Sequence, residues 1–319
     1  MINLFIYIPT FERPIALSRQ LETLVPQVLR FQKNVRLLVN NNNSSSSTFN
    51  QLKLQYQAEN ILFQSNFGNI GGNANIALGF VYSKKDEFIW LLSDNDLVQE
   101  NCIEFLLRTT NNKIDFVVIG RSFIEPVTVD WHYAKGWIEP MQWGQGLISG
   151  ALFNSNTIQG SIEDAFYFHN SSFPHLAVAM SAAKKKQEVL FLQLPWSKIL
   201  SIEIDNDNQP GDYSLSNLGM PLLLKLFPSE SARTFAKGWA NNRGYLFYLK
   251  RDIHPEIFTS SRYLLLKYGG IFMHLYLLKA KVLSGLFPLA YSLRNYLVTN
   301  NALSLVARVR RFSYWIGYR

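Results

Sequence analysis

Short apolar runs alternate with longer stretches of mixed polarity along the first third of the chain. The runs at 4–8, 35–39, 61–63 and 88–92 are apolar apart from Arg36, which is typical of strands buried on both faces of a parallel sheet. The stretch from 14 to about 30, and the stretch that ends near 83, are predicted as helices. Alternating strands and helices predict an α/β fold.

The fourth apolar run ends in two carboxylates, Asp94 and Asp96, separated by Asn95. In open α/β sheets ligands bind at the carboxyl ends of the strands, so both carboxylates are expected in a crevice there. Mg²⁺ is commonly held by one or two carboxylates together with the oxygens of a substrate diphosphate. An Asp-x-Asp pair is also found as an ordinary solvated or capping pair, but its place after a buried strand favours a metal site.

Three earlier strand ends are also polar or rich in glycine. The first strand is expected to stop at Pro9, and the second to empty into a loop of eight polar residues, 40–47. A glycine-rich loop, 66–75, follows the third strand and not the first, so it is not a dinucleotide fingerprint. Its glycines allow close backbone approach, and the helix N-terminus after it can face an anion.

These stretches resemble, in order and spacing, the family-two glycosyltransferases of the GT-A fold. The resemblance covers about the first 200 residues and rests on four segments: 8–13, the Asn-Ser loop, 66–75 and 92–96. It implies a GT-A mixed sheet flanked by helices, which we expect to span 1–215, with a C-terminal helical region over 216–319. It also implies a nucleotide-sugar donor linked to UDP, dTDP or GDP, a Mg²⁺ or Mn²⁺ ion, and inversion at the anomeric carbon.

The resemblance also implies roles for individual residues. Asp96 would hold the metal, and Asp94 would approach the ribose or sugar and share the metal site. The position that reads the base in the family is an Asp, whereas here it is Asn40 or Asn41, and the sequence leaves the choice between them open. The remaining expected donor-site residues are Pro9, Thr10, Arg13, Asn66, Gly71, Gly72, Asn73 and Asn95.

The general base that an inverting transfer requires has two candidates. Asp164 belongs to an acidic pair of the kind that the family commonly uses, although no clear helix start follows it. His175 is expected in the first turn of a helix that Ser171, Ser172 and Pro174 predict. A positive helix N-terminus disfavours the imidazolium form, so His175 would be neutral and able to accept a proton. His175 is the preferred candidate, and the alternative stays open.

Charge is distributed unevenly along the chain. The net charge is +8, and no Asp or Glu occurs from Ile257 to Arg319, where basic residues are interleaved with aliphatic and aromatic runs. This pattern is typical of a helix in a membrane interface, and a helical cap or a dimer interface is the alternative. The interleaving argues against nucleic acid.

The N-terminus lacks a basic segment, and no uncharged apolar run reaches roughly 18 residues, so neither a signal peptide nor a spanning helix is predicted. The single cysteine, Cys102, is expected in the core, in a protein of a reducing compartment.

The predicted function is transfer of a sugar to a lipid-linked or surface polysaccharide acceptor, such as lipopolysaccharide, on the cytoplasmic face of the membrane. One alternative is a sugar nucleotidyltransferase, but the segment after the first strand lacks the glycines of a phosphate loop. The other is a catalytically silent, membrane-associated binding subunit of a polysaccharide assembly complex.

Overall fold

The computed structural model describes residues 2–44, 47–120, 122–131, 148–201, 218–228, 231–237, 239, 254–269, 273–282 and 284. The chain divides into two compact units, Met1–Gly211 and Asp212–Arg319.

The described part of the first unit is built on an eight-stranded mixed sheet with the order β3-β2-β1-β4-β7-β5-β8-β6. Strands β1 to β4 are parallel to one another, and β5 is parallel to β8, whereas β7 and β6 run antiparallel to their neighbours. This confirms the predicted α/β fold with a mixed sheet. The strands are β1 (Asn3–Thr10), β2 (Val35–Asn41), β3 (Ile61–Ser65), β4 (Glu87–Leu91), β5 (Phe116–Gly120), β6 (Ile124–Asp130), β7 (Ala151–Asn154) and β8 (Glu188–Pro195).

Helices pack on both faces of the sheet. On one face, α1 buries Leu17, Leu21 and Leu24, which lie three and four residues apart, in one core with Leu4 and Ile6 of β1. On the other face, α3 lies so close that a Cβ on Gly79 would be 2.5 Å from Leu91 and 2.7 Å from Tyr7. The helices of this unit are α1 (Pro14–Arg30), α2 (Ser47–Tyr56), α3 (Gly72–Val81), α4 (Cys102–Thr109), α5 (Ser155–Ile158), α6 (Glu163–Tyr167) and α7 (Pro174–Lys186).

Strand β1 continues through Pro9, where the sequence predicted its end. The N–H of Leu4 bonds Asn34 on the β2 side, so alternation points the N–H of residues 5, 7 and 9 toward β4. The β4 ladder ends opposite Tyr7, so no residue of β4 requires an N–H from position 9. Proline, which has no N–H, is therefore tolerated there.

Other boundaries also differ from the prediction. Asn40 and Asn41 belong to β2 and are buried, so the polar loop starts two residues later than expected. The strand expected over 145–153 is, in its described part, a 3-10 turn at Ile148–Gly150 followed by the shorter β7. Residues 145–147 lie outside the described residues.

In the second unit, helix α8 (Pro255–Gly269) and helical residues 273–282 share an apolar core. Leu264 and Leu265 of α8 pack there with Met273 and Leu277. No helix in the described part of the chain is long and apolar enough to cross a membrane.

Candidate active site

Four strand ends meet at one edge of the sheet. Because β3, β2, β1 and β4 are adjacent and parallel, their carboxyl ends lie side by side. Strand β7 runs antiparallel to β4, so the residues just before β7 adjoin the residues just after β4. This edge brings together Thr10, the asparagines at the end of β2, the glycine-rich loop and both aspartates, which the sequence predicted to face one crevice.

Asp94 is buried and bonded on both carboxylate oxygens. Thr10 Oγ1 donates to Asp94 Oδ2 at 2.8 Å, and Arg13, whose side chain is half-exposed, is 3.5 Å from Oδ1. Burial raises the pKa of Asp94, and the Thr10 hydrogen bond and the Arg13 charge oppose this rise. The predicted site residues Thr10 and Arg13 thus contact Asp94 directly, while Pro9 is partly exposed beside them.

Asp96 is held on one oxygen only. Ser149 Oγ, from the turn before β7, donates to Asp96 Oδ2 at 2.5 Å. Among the described residues, no group bonds Asp96 Oδ1, and the residue is partly exposed. Burial raises the pKa of Asp96, and the Ser149 bond opposes the rise. Asn95 between the two aspartates accepts a hydrogen bond from Ser93 Oγ. We call residues 93–96 the aspartate turn.

The asparagines at the ends of β2 and β3 bond one another. Asn40 Nδ2 donates to Asn66 Oδ1 at 3.0 Å and to Asn75 Oδ1 at 2.6 Å, and Asn66 Nδ2 donates to Asn42 Oδ1 at 3.0 Å. Asn42 Nδ2 donates to Asn69 at 2.8 Å. Tyr7, buried in β1, donates to the backbone carbonyl of Asn75 at 2.8 Å. The asparagine cluster comprises Asn40, Asn42, Asn66, Asn69 and Asn75.

Asn41, the other predicted base-reading residue, lies outside this cluster. Its side chain closes a local turn, in which Asn41 Oδ1 accepts from Ser44 N and Asn41 Nδ2 donates to Ser44 O, both at 3.0 Å. The amides of Asn40 and Asn41 are therefore both engaged in bonds within the protein. Asn40 Oδ1 is buried and has no partner among the described atoms.

The glycine-rich loop leaves open space above its backbone. Gly71 precedes α3 with φ 84° and ψ 151°, a conformation that is essentially restricted to glycine. A Cβ on Gly71 or Gly72 would meet nothing within 4 Å. Both glycines are exposed, and Asn73 is partly exposed. The backbone at the start of α3 can therefore be approached closely by a ligand.

The two candidate bases lie in different settings. His175 is the second residue of α7, as predicted, but the residue that caps this helix is Phe173, with no side-chain cap bond, and not a serine. His175 is buried, and neither ring nitrogen has a hydrogen-bond partner among the described residues. Burial lowers its pKa to about 4, so the ring is neutral at pH 7, whereas the sequence analysis expected a neutral ring because of the helix N-terminus. Asp164 is partly exposed in α6, so a short helix does begin at the acidic pair.

No protein-family model matches the sequence, and no curated protein matches it. Solved structures match the fold. TarS 1–349 from S. aureus aligns with a TM-score of 0.52 at 9% identity, over 90% of this chain and 91% of that one. The same protein in complex with UDP gives 0.52 at 10% identity, over 90% and 91%. Mannosyltransferase PcManGT from Pyrobaculum calidifontis, in complex with GDP-Man and Mn²⁺, gives 0.51 at 9% identity, over 99% and 84%.

The chain has a GT-A-like glycosyltransferase fold. At these low identities the likeness shows the fold alone.

The donor set at the aspartate turn of this GT-A-like fold fits a hard divalent cation of the Mg²⁺ or Mn²⁺ kind. Asp96 Oδ1 is an anionic oxygen without a protein partner among the described residues, whereas both Asp94 oxygens are already bonded. The described residues contain no group of three or more His, Cys, Asp or Glu side chains that could enclose a metal. One or two carboxylates completed by substrate phosphates and water is the usual Mg²⁺ arrangement.

Three residues at this edge of the GT-A-like fold were not expected from the sequence. Ser149 reaches Asp96 only because β7 runs antiparallel to β4, a pairing that no local pattern encodes. Gln20 of α1 contacts the backbone of the aspartate turn from a helix that carried no predicted role. Tyr7 had a signal, because a phenol in a fully buried strand requires a partner for its hydroxyl.

Proposed function

We propose that the chain is an inverting, metal-dependent glycosyltransferase of the family-two type, which transfers a sugar from a nucleoside-diphosphate donor. The observation that carries this proposal is the aspartate turn at the end of β4, where Asp94 is fully bonded and Asp96 keeps one oxygen open. Two proteins of similar fold support it, since one was solved with UDP and another with GDP-Man and Mn²⁺.

The donor would lie along the edge formed by β1, β2 and the glycine-rich loop. Its diphosphate would complete the coordination of an ion on Asp96, and Asp94, held by Thr10 and Arg13, would face the ribose or sugar. The open space over Gly71 and Gly72 gives the donor access to the backbone there. An ion held by Asp96 would supply positive charge against the negative charge that develops on the departing nucleoside diphosphate.

In the proposed reaction, the acceptor oxygen forms a bond to the anomeric carbon, the bond to the diphosphate oxygen breaks, and a protein base takes the acceptor's proton. His175 remains our preferred base, because its buried ring is neutral and has both nitrogens unbonded among the described residues. With a pKa of about 4, it would keep its proton-accepting form throughout the range above pH 5.

Paired variants test the base. We expect His175→Ala to lower kcat by about 10²–10⁴-fold, with the Asp164→Ala variant close to wild type. In the pH profile of the wild-type kcat, the fall on the acidic side should occur well below pH 6. Near-normal turnover of His175→Ala together with a large loss in Asp164→Ala would assign the base to Asp164.

A binding screen tests the function as a whole. The purified full-length protein is titrated with UDP, dTDP, GDP and CMP, each with and without Mn²⁺, by calorimetry and thermal shift. We expect one nucleoside diphosphate to bind tightly only when Mn²⁺ is present, which would also name the donor class. If no nucleotide binds under any condition, the chain is better explained as a non-catalytic binding subunit.

We further propose that the second unit docks on the cytoplasmic face of the membrane, where a lipid-linked or surface polysaccharide acceptor is found. Helical residues 273–282 bury Met273 and Leu277 in the unit's core but expose Leu275, Leu278 and Val282 on another face. Lys279 and Lys281 on the same helix are exposed. Outward apolar residues next to lysines fit an anionic lipid surface, and each basic residue near it contributes roughly 1 kcal/mol.

Vesicle sedimentation tests this docking. The full-length protein should sediment with phosphatidylglycerol vesicles and not with phosphatidylcholine vesicles. Replacing Leu275, Leu278 and Val282 together by Ser should release it, whereas Ser at the exposed Leu54 of the first unit should not. Substitution is preferred to truncation after Glu256, because α8 supplies part of the second unit's core. Unchanged sedimentation of the triple variant would refute the docking face.

A further inference from the structure

The aspartate turn is clamped from two sides by side chains that do not themselves belong to it. Ser149 comes from the 3-10 turn before β7, and Gln20 comes from α1. Both residues are fully buried, and both bond groups within residues 93–96. The amide hydrogens of Gln20 and the hydroxyl proton of Ser149 are all donated to the turn, so we expect any effect of these donors on a bound ion to pass through Asp96.

Ser149 has a fixed hydrogen-bond direction. Its Oγ accepts from Ser93 N at 2.9 Å, and therefore its single proton is available for Asp96 Oδ2 at 2.5 Å. The carbonyl of Ser149 accepts from the indole N–H of the fully buried Trp90 at 3.0 Å. Trp90 in β4 thus holds Ser149, and Ser149 holds one oxygen of Asp96.

Gln20 holds the backbone of the same turn. Its Nε2 donates to the carbonyl of Ser93 at 2.5 Å and to the carbonyl of Asp96 at 2.9 Å. The turn is also closed internally by Asp96 N, which donates to Ser93 O at 3.3 Å. One side-chain amide therefore bridges the first and last residues of the aspartate turn.

We infer that Ser149 and Gln20 are positioning residues that orient Asp96 for a divalent cation, with Ser149 fixing Oδ2 so that Oδ1 faces the ion. This inference rests on the proposed function, because it assumes a cation at Asp96. Partners that orient a metal-bound carboxylate typically change metal affinity by 10–100-fold when they are removed. A purely structural role for Ser149 would alter the stability of the fold and leave metal affinity unchanged.

The chain offers a matched control for Ser149. Ser155 is also a buried serine next to β7, and its hydroxyl accepts from Glu87 N at 3.1 Å, at the opposite end of β4. Ser149→Ala and Ser155→Ala therefore each remove a buried hydroxyl that accepts a backbone hydrogen bond from a residue at one end of β4. Only the first removes a bond to the aspartate turn.

The test measures Mn²⁺ affinity of the full-length protein by electron paramagnetic resonance, with UDP, dTDP or GDP present in turn, and measures Tm in parallel. We expect Ser149→Ala to raise the Mn²⁺ Kd by 10–100-fold, and Gln20→Leu to raise it in the same direction. Ser155→Ala should lower Tm while changing the Mn²⁺ Kd by less than about twofold. Ser149→Thr, which keeps the hydroxyl, should restore most of the affinity.

Two outcomes would overturn the inference, and they are distinguishable from each other. If the wild-type protein fails to bind Mn²⁺ in the presence of UDP, dTDP or GDP, the proposed function fails and the inference fails with it. If the wild type binds Mn²⁺ and Ser149→Ala binds it equally well, or loses no more affinity than Ser155→Ala, the positioning role alone is wrong.

Discussion

The aspartate turn and the asparagine cluster lie at the same edge of the sheet but satisfy their polar groups in opposite ways. In the asparagine cluster, neutral amides carry both donors and acceptors, so they bond one another, and Asn40 Oδ1 alone among the described cluster atoms is buried without a partner. In the aspartate turn, carboxylates can only accept, and three described donors hold them from outside: Thr10, Arg13 and Ser149. Gln20 donates instead to the backbone carbonyls of Ser93 and Asp96.

This difference separates a part of the edge whose bonds do not depend on pH or cations from a part whose charge does. The asparagine cluster carries no charge, so neither pH nor a cation should change it. The aspartate turn carries a buried carboxylate, Asp94, and a partly exposed one, Asp96, and burial raises the pKa of both. Among the described residues no group bonds Asp96 Oδ1, so its charge can be compensated only from outside the described protein. Each of the following variants should therefore affect one part and spare the other.

The largest effect is expected from removing the open carboxylate. Asp96→Ala should lower the rate of sugar transfer by at least about 10³-fold, because it removes several kcal/mol of transition-state stabilisation that depends on the ion. Circular dichroism and Tm should show an intact fold. Glu100→Ala, an exposed carboxylate four residues later, serves as the control and should be near wild type. Unchanged turnover in Asp96→Ala would refute the metal role.

Breaking the asparagine cluster should instead cost stability. Asn75 Oδ1 accepts from the side-chain amides of Asn40 and Asn66, so Asn75→Ala leaves one N–H of each amide without this partner. Tyr7 keeps its bond to the backbone carbonyl of residue 75. We expect the free energy of unfolding in urea to fall by about 1–3 kcal/mol for each group left unsatisfied, at every pH from 5 to 8. Asn73→Ala, at a partly exposed position in the same helix, should stay within about 0.5 kcal/mol. Equal losses would show that the cluster adds nothing.

A smaller loss is expected where the cluster meets the glycine-rich loop. Gly71→Ala forces a side chain into the conformation at φ 84° and should destabilise the protein by about 1–3 kcal/mol. Gly72→Ala, in α3 with open space at its Cβ, should be neutral or slightly stabilising. Urea unfolding of both variants measures the difference, and a destabilised Gly72→Ala would mean that bulk rather than backbone conformation matters there.

The smallest effect is a gain in stability from neutralising Asp96. A carboxyl whose pKa is raised by folding costs the folded state free energy once it ionises, so this cost is present at pH 7 and disappears below the unfolded pKa. Asp96→Asn should therefore raise the Tm of the metal-free protein at pH 7, with no gain near pH 3. The variant should also lose the Tm increase that Mn²⁺ and nucleotide give the wild type. A lower Tm at pH 7 would contradict this sign.

The sequence predicted the aspartate turn because its signal is local: an uninterrupted apolar run, then two acids. A similar uninterrupted apolar run marks the buried strand β5 at Phe116–Ile119. Most of β6 is exposed and lacks such a run, so this pattern does not indicate it as a strand. Ser149 could not be predicted, because its contact with Asp96 depends on which strand inserts beside β4. Asn40 and Asn41 were placed in a loop because asparagine favours turns. The side-chain bonds of Asn40 inside β2 come from the distant residues Asn66 and Asn75, whereas the side chain of Asn41 bonds the nearby Ser44.

The bonds that define the aspartate turn join residues far apart in the chain, and this has a kinetic consequence. Thr10 and Asp94 are 84 residues apart, and Ser149 and Asp96 are 53 apart, so the turn acquires its bonds only after β1, β4 and β7 have paired. Such long-range pairing forms slowly. A cation and nucleotide that recognise the completed turn would bind the native chain and not its early intermediates. We therefore expect these ligands to slow unfolding strongly and to leave the refolding rate almost unchanged.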